Sequence, residues 1–196
     1  MAEKLRIFVS ATHDLEAERA VIGRAVADLP VQIGVEIRRT PVSGAAYDDI
    51  FELVANVDRF YFLLGRDITA PAGAEWYLAW KLERSVLPLT AQVRRSPAAQ
   101  EFARAALIQW QPFHTDRDLL RLITLDLARI LKHPTNRYGL TVPELELLSL
   151  HVQRIQRRSQ QASAPPEHEP GGAEGGGVLL DSTHRDELDD ELLVEG

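Results

Sequence analysis

The chain predicts an α/β fold, a doubly wound parallel sheet of five strands in the flavodoxin-like order 2-1-3-4-5. Three observations predict it. Short apolar runs rich in β-branched and aromatic residues alternate with segments of helical periodicity, strand then helix, along most of the chain. One run, Phe60 to Leu64 (FYFLL), is apolar at every position, as a strand covered on both faces must be. The connections are short, and right-handed crossovers then leave few topologies. In such sheets ligands sit beyond the carboxyl ends of the strands.

Leu5 to Val9 is the first strand and is expected between the second and third. Ser10-Ala11-Thr12-His13-Asp14 breaks it with small and polar side chains. Thr12 and Asp14 are the expected N-caps of the next helix, and Glu16 and Glu18 complement its dipole. Leu15, Ile22 and Leu29 recur every seven residues, with Ala25 and Val26 between, and make its apolar face. Val31 to Ile37 is the second strand, weakened by Gly34. Arg38 to Gly44 is a loop, and Tyr47 to Val57 is helical by the spacing of Tyr47, Ile50, Val54 and Val57. After the third strand, Gly65-Arg66-Asp67 opens a loop that runs to Gly73, and Ala74 to Arg84 is a helix. Val86 to Leu89 is a short strand. A helix from Ser96 to Ala106 follows, with Ser96 as N-cap and Pro97 in first position. Ile108 to Phe113 is the fifth strand, and Asp116 to Leu131 carries the strongest amphipathic pattern, in Leu119, Leu120, Ile123, Leu127, Ile130 and Leu131.

These elements place one α/β domain over residues 1–138. Residues 139–158 form an extra C-terminal helix or connector, started by the Thr141-Val142-Pro143-Glu144 capping box. Residues 159–196 read as a flexible Gly/Pro linker and an acidic tail, disordered alone. From Ser159 onward ten acidic residues face Arg185 alone, about -9, while the remainder carries 21 basic and 19 acidic residues, about +2. A near-neutral folded part gives no expectation of nucleic acid or an anionic membrane as partner. No apolar run is long enough to span a bilayer. The absence of cysteine removes disulfides and thiolate chemistry and fits a cytoplasmic protein.

Glu75 is the acid that stands out. Leu78, Ala79 and Leu82 lie three, four and seven residues on, so Glu75 shares their inward face in the first turn of its helix. That places it in a cleft at the ligand-binding edge of the sheet, partly out of water. The plainer alternative is that it complements the helix dipole or caps Gly73. Ser10, Thr12 and Asp14 end the first strand at the same edge. Arg38, Arg39 and Arg66 fall in loops after strands two and three, where they are either phosphate ligands or solvated arginines. Asp67 and Asp58 are weaker candidates, Asp58 being placed as a turn or cap residue. Trp76 and Trp80, four apart, either stack a ligand or partner or pack on a neighbouring helix. The six histidines show no metal-ligand spacing, His13 reads as a solvated turn residue, and neither a metal nor a cofactor is expected. There is no dinucleotide fingerprint, Walker loop or nucleophile elbow.

The opening RIFVSATHDLEAERAVI resembles the start of a TIR-like family, the one catalogued as domain of unknown function 4062. The match is Phe8-Val9-Ser10, Thr12, Asp14-Leu15 and Glu18-Arg19, with further similarity at Val57-Asp58, Phe62-Leu63-Leu64-Gly65 and Val86-Leu87-Pro88. It covers roughly Leu5 to Leu131. Ala11 replaces a second Ser of the family's opening motif, and Arg66-Asp67-Ile68 stands where a Tyr-Gly is frequent. The resemblance, and a more distant one to nucleoside deoxyribosyltransferases, implies a signalling or defence module that cleaves the N-glycosidic bond of NAD or a related nucleotide. Glu75 would then act at the anomeric carbon. Ser10, Thr12, Gly65 and Asp67 would lie at the nucleotide, with Arg39 or Arg66 on phosphate. It also implies a homo-oligomer or an NTPase-type protein partner. The other reading is a non-catalytic assembly module that recruits a partner through its surface helices and acidic tail.

Overall fold

A computed structural model describes residues 3–163. The linker and tail expected beyond Ser159 therefore lie, from residue 164 on, outside the described residues. The strands are β1 (Leu5–Ala11), β2 (Val35–Arg38), β3 (Arg59–Leu64), β4 (Val86–Ala91) and β5 (Gln111–Phe113). The helices are α1 (Arg19–Ala27), α2 (Tyr47–Ala55), α3 (Ala72–Lys81), α4 (Pro97–Ala105), α5 (Asp116–Leu131) and α6 (Val142–Ser163). The sheet is parallel throughout and ordered β2-β1-β3-β4-β5, with β1 inside it.

Every residue of β3 is buried, and period-two alternation divides its side chains between two layers. Tyr61 and Leu63 join Leu5, Ile7 and Val9 under α1, α5 and α6. Phe60, Phe62 and Leu64 join Phe8 under α2, α3 and α4, with Phe8 stacked on Phe60 at 5.1 Å. Ser10 is two residues beyond Phe8, so it points into the α3 layer.

Several boundaries differ from the sequence expectation, for physical reasons. β1 runs on through Ser10 and Ala11, since β3 pairs with it as far as Ala11↔Leu63. Thr12 and Asp14 cap no helix. Thr12 precedes a single 3-10 turn (His13–Leu15) without capping it, and α1 begins only at Arg19. β2 starts at Val35, not Val31, because Leu5↔Val35 is its first pair with β1. Pro88 sits within β4, at a point where β5 has not yet begun to pair. Ser96 caps α4 as expected, accepting from the Ala99 amide at 3.1 Å. α6 continues through 159–163, residues expected to open the linker; Gln and Ala there are good helix formers.

The amino end of β3 meets α5 through a buried ion pair. Arg59 donates to both oxygens of Asp126, at 2.8 and 2.7 Å, and to Ser85 at 2.6 Å. Tyr61 donates its hydroxyl to Asp126 at 3.0 Å. Burial, with the Asp126 charge behind it, pushes the Tyr61 phenol well above its ordinary value. Asp126→Ala strands a buried guanidinium and is expected to cost about 3–5 kcal/mol in urea unfolding. A raised phenol pKa stabilises the fold fully below the unfolded value of about 10 and loses that contribution as pH climbs through the folded value. Stability should therefore fall above about pH 10, and Tyr61→Phe should flatten part of that fall. Equal slopes for the two proteins between pH 9 and 11, each about a unit from that value, would exclude this role.

Candidate functional site

The carboxyl edge of the sheet gathers two carboxylates from different elements. Glu75 lies in the first turn of α3 and is wholly buried, 0% exposed. One carboxylate oxygen accepts from the Ser10 hydroxyl of β1, and the other from the Thr40 hydroxyl just past β2. Both bonds leave the helix, so Glu75 is not spent on capping Gly73. Among the described residues no ion pair reaches it. The expected open cleft is not what surrounds it. Glu75 is fully enclosed, and Thr40, which donates to it, is itself only 7% exposed. The reason is solvation: a carboxylate withdrawn from water needs a donor for each oxygen.

The second carboxylate, Asp14, ties the ends of β1 and β3 together. Thr12 donates its hydroxyl to Asp14 at 2.7 Å and accepts the Gly65 amide at 2.9 Å. The Arg66 amide donates to the other Asp14 oxygen at 2.8 Å. Gly65 is required by contact: a Cβ there would stand 2.2 Å from an Asp14 carboxylate oxygen.

The remaining candidates separate into those brought to this edge and those tied elsewhere. Arg39 pairs with Glu16 at 2.9 Å and Arg38 with Glu36 at 2.8 Å, the Arg39 pair being solvent-exposed on both sides. The Arg66 side chain is exposed and has no partner among the described residues. Asp67 joins two loops, accepting from Ser96 at 2.5 Å and from the Ile68 amide at 2.8 Å. Asp58 accepts from the Arg6 amide and from Arg137, both distant in sequence, so its side chain ties β1 and the C-terminal chain to the start of β3 rather than capping a turn. His13 is exposed. Trp76 packs against Phe62, Phe102 and Trp110 at 4.8 to 5.7 Å, whereas Trp80 is 60% exposed. A groove of about 590 Å³ runs past Trp76, Trp80, Glu83, Arg84, Val86 and Gln109, and Glu75 does not line it.

Two contributors escaped sequence reasoning. Thr40 reads as one more loop residue; it lies two residues past β2, and its bond to Glu75 spans 35 positions. Arg19 enters the sequence reading only as part of the opening motif. It turns back and donates to the Val9 and Ala11 carbonyls, beyond the last pair that β2 makes at Phe8↔Arg38. Among the described residues no cluster of His, Asp and Glu could hold a metal, and no helix is long and apolar enough to cross a membrane.

Gly65→Ala should expel Asp14 from its seat and loosen the β1–β3 edge. We expect a loss of about 1–3 kcal/mol, the cost of overpacking, read by urea denaturation. The double variant Gly65→Ala/Asp14→Ala should recover part of it; no recovery would contradict the contact.

No protein-family model matches the chain, and no curated protein matches it either.

Proposed function

We propose that this chain is a TIR-like signalling or defence module that breaks the N-glycosidic bond of NAD or a related nucleotide, with Glu75 acting at the anomeric carbon. One observation carries the reading: Glu75 is a fully buried carboxylate at the ligand edge of a doubly wound sheet, held by two hydroxyls and, among the described residues, by no cation. A structural acid in that position ordinarily has an Arg or Lys beside it, as Asp126 has Arg59. Glycosidic cleavage passes through an oxocarbenium-like state. A carboxylate left without a cation stabilises that developing charge or attacks the carbon. Ser10 and Thr40 hold the carboxylate through its two oxygens, and their hydroxyls are free to turn toward ribose once Thr40 moves aside. The similarity of the opening motif to the TIR-like family points the same way.

A second reading, an assembly module without catalysis, is favoured by the outer face of α3 and α4. Tyr77 and Trp80 are more than half exposed there, and Leu107 is 91% exposed at a φ of 48°, in the left-handed region that favours glycine. An exposed leucine in that conformation gains nothing from the monomer, which suits a partner surface of the kind an oligomer or an NTPase-type partner would cover.

Glu75→Gln decides between them. The Gln amide keeps the size, and the two hydroxyls can turn to accept as well as donate, so stability should change by about 1 kcal/mol or less. Turnover of NAD or of the active member of a nucleotide panel should fall by about 100-fold or more. Full activity in the variant removes Glu75 from the chemistry, and a wild type inert toward the whole panel at high concentration leaves the assembly reading.

A further inference from the structure

The chemistry at Glu75 leaves a cation of the same edge unused. Arg95 follows β4, is half-buried, and folds its guanidinium back over the end of that strand. Nη2 donates to the Thr90 hydroxyl and to the Ala91 carbonyl, the latter at 3.1 Å. Among the described residues its side chain makes no other bond, so Nη1 has no acceptor and Nε is buried without one. No carboxylate among them pairs with it: Asp67, the acid of the neighbouring loop, accepts from Ser96 and the Ile68 amide. A buried donor without an acceptor is costly, and a guanidinium with unused N–H groups at a ligand edge matches a phosphate in charge and shape. The register of the sheet sets where Arg95 stands relative to Glu75. Ser10, which holds Glu75, pairs with Phe62, and Thr90, which holds Arg95, pairs with Leu64 two residues further along β3. These side chains therefore share the α3 layer. At about 4.8 Å per strand and about 3.3 Å per residue, Ser10 and Thr90 stand about 12 Å apart. A ribose and the phosphate on its 5′ carbon are of a size to lie across that gap.

We propose that Arg95 is the phosphate-binding residue of this edge, and that the substrate at Glu75 is accordingly a ribosyl nucleotide bearing a 5′-phosphate, not the bare nucleoside. The proposal rests on the reading of Glu75 as the group at the anomeric carbon and deepens it. The two charges divide the work. Glu75, on the β1 side, faces the carbon where positive charge develops. Arg95, on the β4 side, holds the permanent negative charge of the same molecule, so the sugar has one orientation in which each end meets an opposite charge. Thr90 and the Ala91 carbonyl fix the guanidinium before the ligand arrives, which lowers the ordering cost of binding. A lysine there would supply the charge without the planar fork.

The test is calorimetric binding to the full chain carrying Glu75→Gln, which removes turnover on that reading, with nicotinamide riboside, its 5′-monophosphate and NAD as probes. The monophosphate should bind at least about tenfold more tightly than the riboside. Adding Arg95→Gln should weaken the monophosphate and NAD by about tenfold or more and leave the riboside within about twofold. Arg94→Gln removes the same charge from an exposed neighbour and should change none of the three by more than about twofold. Arg95→Lys should retain only part of the phosphate preference; if the Gln variant does not fold, a Lys variant with the parent's full preference overturns the proposal. Equal affinity for riboside and monophosphate, binding of neither, or a folded Arg95→Gln protein with unchanged affinities overturns it as well. So does a loss with NAD alone, since the phosphate on the nicotinamide ribose is common to both nucleotides, or an equal loss in Arg94→Gln. The reading of Glu75 fails separately: the phosphate preference in a wild type that cleaves nothing rejects that chemistry and leaves Arg95 in its role, while cleavage without the preference rejects Arg95 alone.

Discussion

β3 is buried along its whole length, and most of the architecture answers that constraint. A strand with both faces apolar needs a helical layer on each side, which the doubly wound topology supplies. Its ends are the difficulty, because there the polar backbone and the flanking residues leave the sheet. At the amino end Arg59 lies buried and Asp126 of α5 neutralises it. At the carboxyl end Gly65 and Arg66 present amides, and Thr12 and Asp14 accept them. One end is closed by an ion pair that α5 carries, the other by a carboxylate from the chain that follows β1. The first is a structural lock. The second lies where ligands of such sheets bind.

Glu75 follows from the same layering. The alternation that sends Phe8 and Phe62 into the α3 layer also sends Ser10 there, one step past the apolar core. α3 enters this layer with Leu78 and Ala79 inward, and Glu75, three and four residues before them, comes with that face. The carboxylate is thus enclosed by helix register and kept soluble in the protein by hydroxyls from β1 and from the end of β2. An acid so placed is costly to bury, and its hydrogen bonds to Ser10 and Thr40 offset part of that cost while joining α3 to β1 and to the chain past β2. The chemical role proposed for it rests on the lack of a cation beside it among the described residues.

Much of this was legible in the sequence, and the exceptions are instructive. FYFLL announced a strand buried on both faces. The three-and-four spacing from Glu75 to Leu78 and Ala79 announced an inward acid, and the hydroxyls of Ser10 and Thr12 marked the edge. Thr12 and Asp14 were misplaced as helix caps, because a Thr-x-Asp pair before a helical pattern satisfies capping rules locally. Only the register of β1 against β3 puts those side chains over Gly65 instead. Thr40 was invisible for a similar reason, since its partner is 35 residues away and no local pattern encodes that approach. Arg39 and Asp67 were legible as charged loop residues, but not their partners Glu16 and Ser96, which lie 23 and 29 positions away. Local periodicity reported which face a residue takes, and long-range pairing decided what it meets.

The central claim is that Glu75 is the group presented to the sugar, behind a hydroxyl that must give way. The most direct measurement is a crystal structure of Glu75→Gln soaked with NAD. The account predicts the anomeric carbon of the nicotinamide ribose about 3–3.5 Å from the side chain at position 75, with Thr40 withdrawn from it. NAD bound elsewhere, or bound with Thr40 still hydrogen-bonded to position 75, would contradict it.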